Sequence, residues 1–543
     1  MTSPLRTLLA MIREGAALQE GPILTFVEAR PDGGLATETR SYAELLERGQ
    51  RIAGALIAEG MQPGDSFAII LRNHPEFVDA MVGSEIAGTV FVPVDPRTRG
   101  DKLAYMLRFS RCRGAIVSRA LIEHLRPLLG SLPDLRWVWV IDAATAENDQ
   151  EGPFLPLATK LAAAEPAATA EPRPLDAPMQ MLFTSGTTGD PKAILAPYAR
   201  FAEVASLGPV IGLEPGDRLY TGLSLTHANA QLITLGNALA GRLPLVVSRQ
   251  FTKSRLWEIV AQYGCTSFNL LGGMATAIFA EPPGPFDRAH KVRFVLSAGM
   301  PATMWKAFEE RFGVRVFEFF GAAEGGLTLN PPGTGPVGSI GKAPRGAVCE
   351  ILDEDDHVVA AGVEGEICFR NADGTVAPVR YFGNPEASAA KTRGGWFRTG
   401  DIGWKDAEGW IFFSHRAGQS IRRNGDFVNA RAIEAAIAAM SGVADVYVYG
   451  VATADNAPGE KEVVAAIVPG EGWGEASTIF AACARDLGST SVPSIVQILD
   501  EIPKTASEKP QDRHLIAMLS ASDAKTFDKN GPVKVQMKER ELQ

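Results

Sequence analysis

Residues 181–195 read Met-Leu-Phe-Thr-Ser-Gly-Thr-Thr-Gly-Asp-Pro-Lys-Ala-Ile-Leu, an apolar strand that runs into a loop of glycines and hydroxyl side chains. Glycines let backbone N–H groups approach an anion closely, and Lys192 adds a mobile positive charge. A bound triphosphate requires these features, although the G-x-x-x-x-G-K-[ST] pattern of a Walker loop is absent. A polar surface turn is the alternative interpretation, which the density of hydroxyl residues directly after a strand disfavours. The predicted phosphate-binding residues are Thr184, Ser185, Gly186, Thr187, Thr188 and Lys192.

Outward from this loop, helical and strand patterns alternate through the first 400 residues or so. Residues 41–60 carry apolar side chains at helical spacing, and residues 66–73 follow as a short buried strand. This alternation predicts βαβ units with mostly parallel sheets. After residue 416 the pattern restarts, which predicts a separate small α+β unit. Residues 143–178 are predicted to be a surface excursion, and the polar tail from about Ser520 to be ordered only in part.

Seven further segments accompany the loop in chain order. They are GTVFVPVDPRTRGDKLAYML (88–107), FGAAE (320–324), GEICFR (365–370), GWFRTGD (395–401), FSHR (413–416), RRNG (422–425) and PKTASEK (503–509). Together with the loop they resemble the motifs of the adenylate-forming superfamily: acyl-CoA synthetases, adenylation domains of peptide synthetases, and luciferases. The spacing and the C-terminal variant are most similar to crotonobetaine/carnitine-CoA ligase-like acyl-CoA synthetases.

The resemblance implies an α/β fold in two domains. Residues 1–415 would form a large N-terminal domain of mixed, mostly parallel sheets flanked by helices, which binds ATP and the acyl group. Residues 416–543 would form a small, mobile α+β C-terminal domain that acts as a lid. The active site would lie between the two domains.

Three catalytic residues follow from the resemblance. Lys509 would place a cation between the carboxylate and the α-phosphate, two anions that repel each other. Glu324 would supply an oxygen ligand to the Mg²⁺ that accompanies ATP. His227 would gate the acyl pocket. A solvated lysine, a surface acid and a structural histidine are the respective alternatives.

The resemblance also implies contacts with the nucleotide. Asp401 would accept the ribose hydroxyls, and Arg416 would bond to ribose or phosphate, although a turn-forming aspartate and an exposed arginine are the alternatives. Phe320 would stack on the base. Gly299 belongs to a loop that would pack near adenine or form only a tight turn. The remaining predicted nucleotide-binding residues are Gly321, Ala322 and Ala323.

The predicted acyl pocket is largely apolar and consists of His227, Asn229, Phe268, Leu271, Met274 and Ala322. Gly425 would let the pantetheine arm of coenzyme A pass close to the backbone, with a helix-ending glycine as the alternative.

Three positions depart from the family pattern. Ala323 replaces a usual threonine, Glu508 a usual glycine, and Gly418 a commonly charged hinge residue.

These features predict an AMP-forming acid–thiol ligase that uses ATP, Mg²⁺ and coenzyme A. It would convert a small-to-medium monocarboxylic acid (fatty, aromatic or alicyclic) to its acyl-CoA through an acyl-adenylate. One alternative is an amino-acid adenylation enzyme that loads a carrier protein, which would need an acid near residue 227. The other is a non-catalytic binder of nucleotide or acyl-AMP, which Ala323 and Glu508 suggest.

Composition excludes several other classes. The 543 residues carry a net charge of −10 with no basic run, which disfavours nucleic acid as a partner. No apolar run is long enough to span a bilayer, and the first 19 residues are typical of an amphipathic helix rather than a secretion signal. Five scattered cysteines indicate reduced core residues in a cytoplasmic protein. A homodimer is left open.

Overall fold

The computed structural model describes residues 4–19, 21–142, 153–168, 171–184, 192–417, 421–423, 426–428, 430–453, 461–487, 492–505 and 510–535. Its α-helices are α1 (Leu8–Leu18), α2 (Tyr42–Ala58), α3 (Pro75–Ala87), α4 (Gly100–Phe109), α5 (Ile122–Leu125), α6 (Leu157–Ala163), α7 (Tyr198–Ala205), α8 (Gly236–Gly241), α9 (Leu256–Gln262), α10 (Gly272–Phe279), α11 (Ala302–Phe312), α12 (Pro385–Lys391), α13 (Ala430–Ala438), α14 (Ser477–Leu487) and α15 (Asp512–Leu519). Short 3₁₀ segments lie at Arg119–Leu121, Arg126–Ser131 and Arg393–Gly395, and a π-helical segment at Asn229–Leu235.

The strands of the larger part are β1 (Pro22–Ala29), β2 (Leu35–Ser41), β3 (Ser66–Ile70), β4 (Val90–Pro93), β5 (Cys112–Val117), β6 (Trp137–Val140), β7 (Phe154–Pro156), β8 (Pro178–Thr184), β9 (Lys192–Pro197), β10 (Leu219–Thr221), β11 (Leu245–Ser248), β12 (Ser267–Leu271), β13 (Phe294–Ala298), β14 (Arg315–Phe320), β15 (Thr328–Asn330), β16 (Ala347–Leu352), β17 (Gly365–Asn371), β18 (Phe397–Lys405) and β19 (Ile411–Arg416). Those of the smaller part are β20 (Ile421–Arg423), β21 (Asp426–Val428), β22 (Val443–Val451), β23 (Glu462–Pro469), β24 (Ile495–Ile498), β25 (Lys525–Asp528) and β26 (Gly531–Pro532).

A seven-stranded sheet contains both strands that flank the phosphate loop. Its order is β7-β6-β5-β3-β4-β8-β9, and every neighbouring pair is parallel except β8 with β9. The five residues of β3 are all buried, as expected of a parallel strand covered on both faces. The predicted surface excursion is only partly right, because β7 extends this sheet and α6 follows it.

An eight-stranded sheet forms the second layer, in the order β15-β14-β13-β12-β10-β11-β1-β2. The strands from β14 to β1 are parallel, and only the two edge strands run antiparallel to their neighbours. One hydrophobic core joins the two sheets and α1, α2 and α3. Helix α3 is buried on almost every side, which suits a helix that lies inside a large core.

A smaller antiparallel sheet, β16-β17-β18-β19, carries the segments around residues 365–416. Its apolar side chains pack with those of β8 and β9, so this sheet is fixed to the phosphate-loop strands. The rigid attachment places β18 and β19 beside the seven-stranded sheet.

The C-terminal part has its own hydrophobic clusters, a two-stranded ribbon β20-β21 and the five-stranded sheet β22-β23-β24-β25-β26 with α13, α14 and α15. The predicted fold class is therefore confirmed, whereas the boundary at residues 415/416 stays a prediction. Within the tail, which was expected to be ordered only in part, the described residues form β25 and β26 at the edge of this sheet. The Arg431 guanidinium lies 4.3 Å from the ring centroid of Phe413, which joins α13 to β19.

Across the described residues, no helix combines the length and the apolar composition needed to cross a membrane.

Candidate active site

The predicted site residues converge because four adjacent parallel strands end at one edge of the eight-stranded sheet. In sheet order these strands are β14, β13, β12 and β10. Ala322, Gly299 and His227 lie in the segments after β14, β13 and β10, respectively, and Leu271 is the last residue of β12. Ligands of open α/β sheets bind at the carboxyl ends of the strands, so this edge is the place to look for a site.

The segments after β12 and β13 touch through their backbones. A Cβ added to Gly272 would lie 2.3 Å from the carbonyl oxygen of Gly299, so only glycine fits there. Gly299 itself has φ +103°, which an L side chain rarely adopts. Its backbone N–H donates to Glu318 Oε1 at 2.5 Å, and that of Met300 donates to Oε2 at 3.2 Å. Burial raises the pKa of the Glu318 carboxyl to about 8, although these two donors act in the opposite direction.

The FGAAE segment forms a tight turn after β14. Ala322 and Gly325 exchange two backbone hydrogen bonds, of 3.1 and 3.2 Å. The Ala322 carbonyl also accepts a hydrogen bond of 3.1 Å from Arg200 Nη2 of α7. Nε of Arg200 is buried and has no partner among the described residues, and burial lowers the pKa of this guanidinium. The ring of Phe320 packs against Phe369, with centroids 6.2 Å apart.

Tyr381 connects this turn to the phosphate-loop strands. Its hydroxyl donates to Glu324 Oε1 at 2.8 Å, and burial together with this carboxylate raises the pKa of the phenol. The chain around Tyr381 runs beside β9, where Leu195 N donates to the Arg380 carbonyl at 2.8 Å. Nζ of Lys192 lies 5.7 Å from the Tyr381 ring centroid. Tyr381 therefore lies between Lys192 and Glu324 and contacts both.

Asp401 and Arg416 are register partners on β18 and β19. Nε of Arg416 donates to Oδ1 of Asp401 at 2.9 Å, and the aspartate is only 3% exposed. The stretch of β18 before Asp401 is held by the partly buried Lys391, whose Nζ donates to the carbonyls of Arg398 and Thr399 at 2.9 Å each. Burial lowers the pKa of Lys391, and Glu324 and neighbouring acids act against this shift.

The predicted acyl-pocket residues fall into two groups. Asn229 begins the π-helical segment, where its backbone N–H donates to His227 Nδ1 at 3.2 Å. Its Oδ1 accepts a 2.6 Å hydrogen bond from Nδ2 of Asn269, a residue of β12 that no motif pointed to. Leu271 is two residues further along this strand and shares the face of Asn269, whereas Met274 of α10 is buried in the same main core as Phe268.

Phe268 lies on the other face of β12. It is 1% exposed and packs against Trp257, with ring centroids 5.4 Å apart, inside the main core. The structure does not bring Phe268 to Asn229.

A family model described as AMP-binding enzyme matches residues 24–378, and one described as AMP-binding enzyme C-terminal domain matches residues 432–509. The chain belongs to the AMP-binding enzyme family. The adenylate-forming resemblance of the motifs is thereby confirmed, over both parts of the chain.

Relatives of this AMP-binding enzyme include acid–CoA ligases. The sulfoacetate–CoA ligase of Cupriavidus necator (strain H16) is 30% identical over 513 residues, which cover 91% of this chain and 92% of the relative. The crotonobetaine/carnitine–CoA ligase of Escherichia coli O7:K1 is 28% identical over 480 residues, covering 86% and 91%. Among solved structures, an anthranilate CoA ligase in complex with anthranoyl-AMP superposes with a TM-score of 0.83 at 22% identity, covering 95% of this chain and 98% of the other. This last likeness shows the fold.

Several predicted residues lie outside the described residues: Ser185, Gly186, Thr187, Thr188, Gly425 and Lys509, together with the departures Gly418 and Glu508. Thr184 is the last residue of β8 and pairs with Lys192 across the loop. The described chain stops at residue 505 and resumes at residue 510, and Lys504 forms a β-bridge with Pro510.

Sequence reasoning about this AMP-binding enzyme missed Arg200, Asn269, Glu318, Tyr381 and Lys391. For Glu318 a signal existed, since an acid inside the apolar run Val-Phe-Glu-Phe-Phe of β14 must be buried. The others have no local signal, because each depends on a contact between elements distant in sequence.

Proposed function

We propose that the chain is an AMP-forming acid–CoA ligase that activates a carboxylic acid as its acyl-adenylate. The observation that carries this proposal is the row of contacts from Lys192 on β9 through Tyr381 to Glu324, which follows β14. The Asp401–Arg416 pair of β18 and β19 lies near enough for Glu324 and Tyr381 to act electrostatically on Arg416. The family membership and the acid–CoA ligases among the matched relatives support the same conclusion.

In the first half-reaction, a carboxylate oxygen of the acid attacks the α-phosphorus of ATP and pyrophosphate leaves. Lys192 and the loop after Thr184 would hold the phosphates, and Lys509 would lie between the two anions. Asp401 would accept the ribose hydroxyls while Arg416 holds its carboxylate in place. Phe320 and the Gly299 loop, with Gly321, Ala322 and Ala323, would line the nucleotide site.

Glu324 is a suitable ligand for Mg²⁺, because its carboxylate uses one oxygen for Tyr381 and keeps further lone pairs. Mg²⁺ is commonly bound by one or two carboxylates together with substrate phosphates. When bound, it neutralises charge on the phosphates.

In the second half-reaction, the thiol sulfur of coenzyme A attacks the acyl carbonyl and loses its proton to solvent. The carbon–sulfur bond of a thioester forms, and AMP leaves with the electron pair of the broken acyl–oxygen bond. The C-terminal domain, residues 416–543, would rotate to remove Lys509 and bring Gly425 to the pantetheine arm. His227 would move aside as the thiol enters. ATP, coenzyme A and the five buried cysteine thiols all suit a cytoplasmic enzyme.

Pyrophosphate exchange into ATP over a panel of carboxylic acids tests the first half, and thioester formation with and without coenzyme A tests the second. We expect exchange with at least one acid that is not an α-amino acid, and a thioester only when coenzyme A is present. Lys509→Ala should abolish exchange, whereas Lys525→Ala, at an exposed lysine of the same domain, should not change it. Exchange restricted to α-amino acids, or no exchange with any acid, would overturn the proposal.

A further inference from the structure

Two buried carboxamides face each other at the carboxyl end of β12. Asn229 is 7% exposed and Asn269 is 1% exposed, and they share the 2.6 Å hydrogen bond described above. The remaining oxygen, Oδ1 of Asn269, is shielded from solvent and has no hydrogen-bond partner among the described residues. Buried acceptors in native proteins almost always have a partner, so this atom calls for a donor that the chain itself does not supply there.

A neighbouring glutamine also has a buried amide oxygen without a hydrogen-bond partner among the described residues. Nε2 of Gln231, a fully buried side chain, donates to the Leu225 carbonyl at 2.6 Å, while its Oε1 has no partner within the described part of the chain. The amide nitrogens thus hold the segment that carries His227 and Asn229, and the amide oxygens are left as acceptors. Both amide oxygens are therefore acceptors that the described residues leave open.

The orphan acceptor lies where the acyl group is proposed to bind. Asn269 shares its face of β12 with Leu271, and its register neighbours on β13 and β14, Leu296 and Phe317, share that face too. Leu296 and Phe317 pack in a small apolar cluster with Ile233 of the π-helical segment, so the surroundings of Asn269 are largely apolar. The opposite face is filled by Phe268 and Leu270 within the core. Asn269 therefore takes the place in the pocket that the sequence assigned to Phe268.

We propose that the acid substrate carries an uncharged hydrogen-bond donor, a hydroxyl or an amino N–H, on its acyl part, and that Oδ1 of Asn269 accepts from it. This inference rests on the proposed function. Asn229 is a positioning residue, because its Oδ1 fixes the orientation of the Asn269 carboxamide. Unsubstituted fatty or aromatic acids leave the acceptor unpaired and are disfavoured.

Matched acids test the proposal on the unmodified enzyme. Pyrophosphate exchange is measured with benzoate, its hydroxy and amino derivatives, and with straight-chain acids beside their hydroxy counterparts. We expect the best donor-bearing acid to exceed its unsubstituted parent in kcat/KM by about 10- to 100-fold. The rates with the hydroxy and the amino derivatives show which of the two donors the substrate uses. Unsubstituted acids that react as well as their derivatives would overturn this inference and leave the ligase proposal standing, whereas no exchange with any acid would overturn both.

A pair of variants on one strand tests the residue. Asn269→Leu keeps the size of the side chain and removes the acceptor, so the ratio of donor-bearing to unsubstituted acid should fall towards one. Leu270→Ala, on the opposite face, should lower the thermal midpoint but keep the ratio. Binding of ATP and the thermal midpoint show that each variant is folded. A ratio that persists in Asn269→Leu contradicts the assignment, and if that variant does not fold, the acid series still decides.

Discussion

Replacing Gly272 with alanine tests the close contact between the segments after β12 and β13. The new Cβ would lie 2.3 Å from the Gly299 carbonyl oxygen, about 1 Å short of the 3.4 Å at which ordinary contact begins. Both atoms belong to backbone or are attached to it directly, so no flexible side chain can absorb the overlap. The Gly299 segment must move by about this amount, and overpacking of this kind costs about 1–3 kcal/mol.

The same displacement acts on the proposed nucleotide site. A shift of about 1 Å in a positioned group can cost about 100-fold in rate, so we expect kcat/KM for ATP in pyrophosphate exchange to fall by about that factor. The control is Gly130→Ala, where an added Cβ meets nothing within 4 Å. A lower thermal midpoint with an unchanged kcat/KM would refute the role of the Gly299 loop at the nucleotide. An unchanged midpoint would refute the close contact itself.

Three further predictions concern charged groups near this edge. Tyr381→Phe removes the 2.8 Å hydrogen bond to Glu324. Hydrogen bonds to charged groups contribute about 1.5–3 kcal/mol, so pyrophosphate exchange should slow by about 10- to 100-fold. The Mg²⁺ dependence of the exchange rate should also change, which a Mg²⁺ titration measures. Lys391→Met keeps the partly buried stem of the side chain but removes its two hydrogen bonds to the β18 carbonyls before Asp401, so KM for ATP should rise more than kcat falls in steady-state kinetics. A change in kcat alone would argue against this positioning role. Because the pKa of Glu318 is raised to about 8, the folded protein keeps a proton that the unfolded chain loses, and the free energy of unfolding falls as pH rises from about 4.5 to 8. The thermal midpoint of Glu318→Gln, measured over this pH range, should lack that part of the pH dependence.

The fold could be predicted to a large extent from the sequence because the signals are local. Apolar runs such as β3 alternate with helical periods, and the motif segments occur in family order. The C-terminal end was harder to predict. The tail beyond Ser520 is polar, and its strand β25 is defined by pairing with β24 rather than by an apolar pattern of its own.

The site was predictable only where residues belong to motifs. Choosing Phe268 for the acyl pocket followed from its apolar character, but which face of β12 it occupies depends on the register with β13, which sequence does not give. Lys391 ends a segment, Pro385–Lys391, that is typical of an exposed helix, and only the fold shows its Nζ bonded to two carbonyls of β18 just before Asp401. Contacts between distant elements decide both positions.

The departure at Ala323 acquires a different meaning once the turn around it is known. The turn is held by the two backbone bonds between Ala322 and Gly325 and by Arg200 on the Ala322 carbonyl, and none of these bonds involves the side chain at position 323. Loss of the usual threonine hydroxyl therefore leaves the turn in place and removes one contact to phosphate or acyl oxygen. A substrate that donates its own hydroxyl or amino hydrogen to Asn269 would regain a fixed orientation in the pocket, because the missing hydrogen bond at one end of the acid is replaced by a new one at the other.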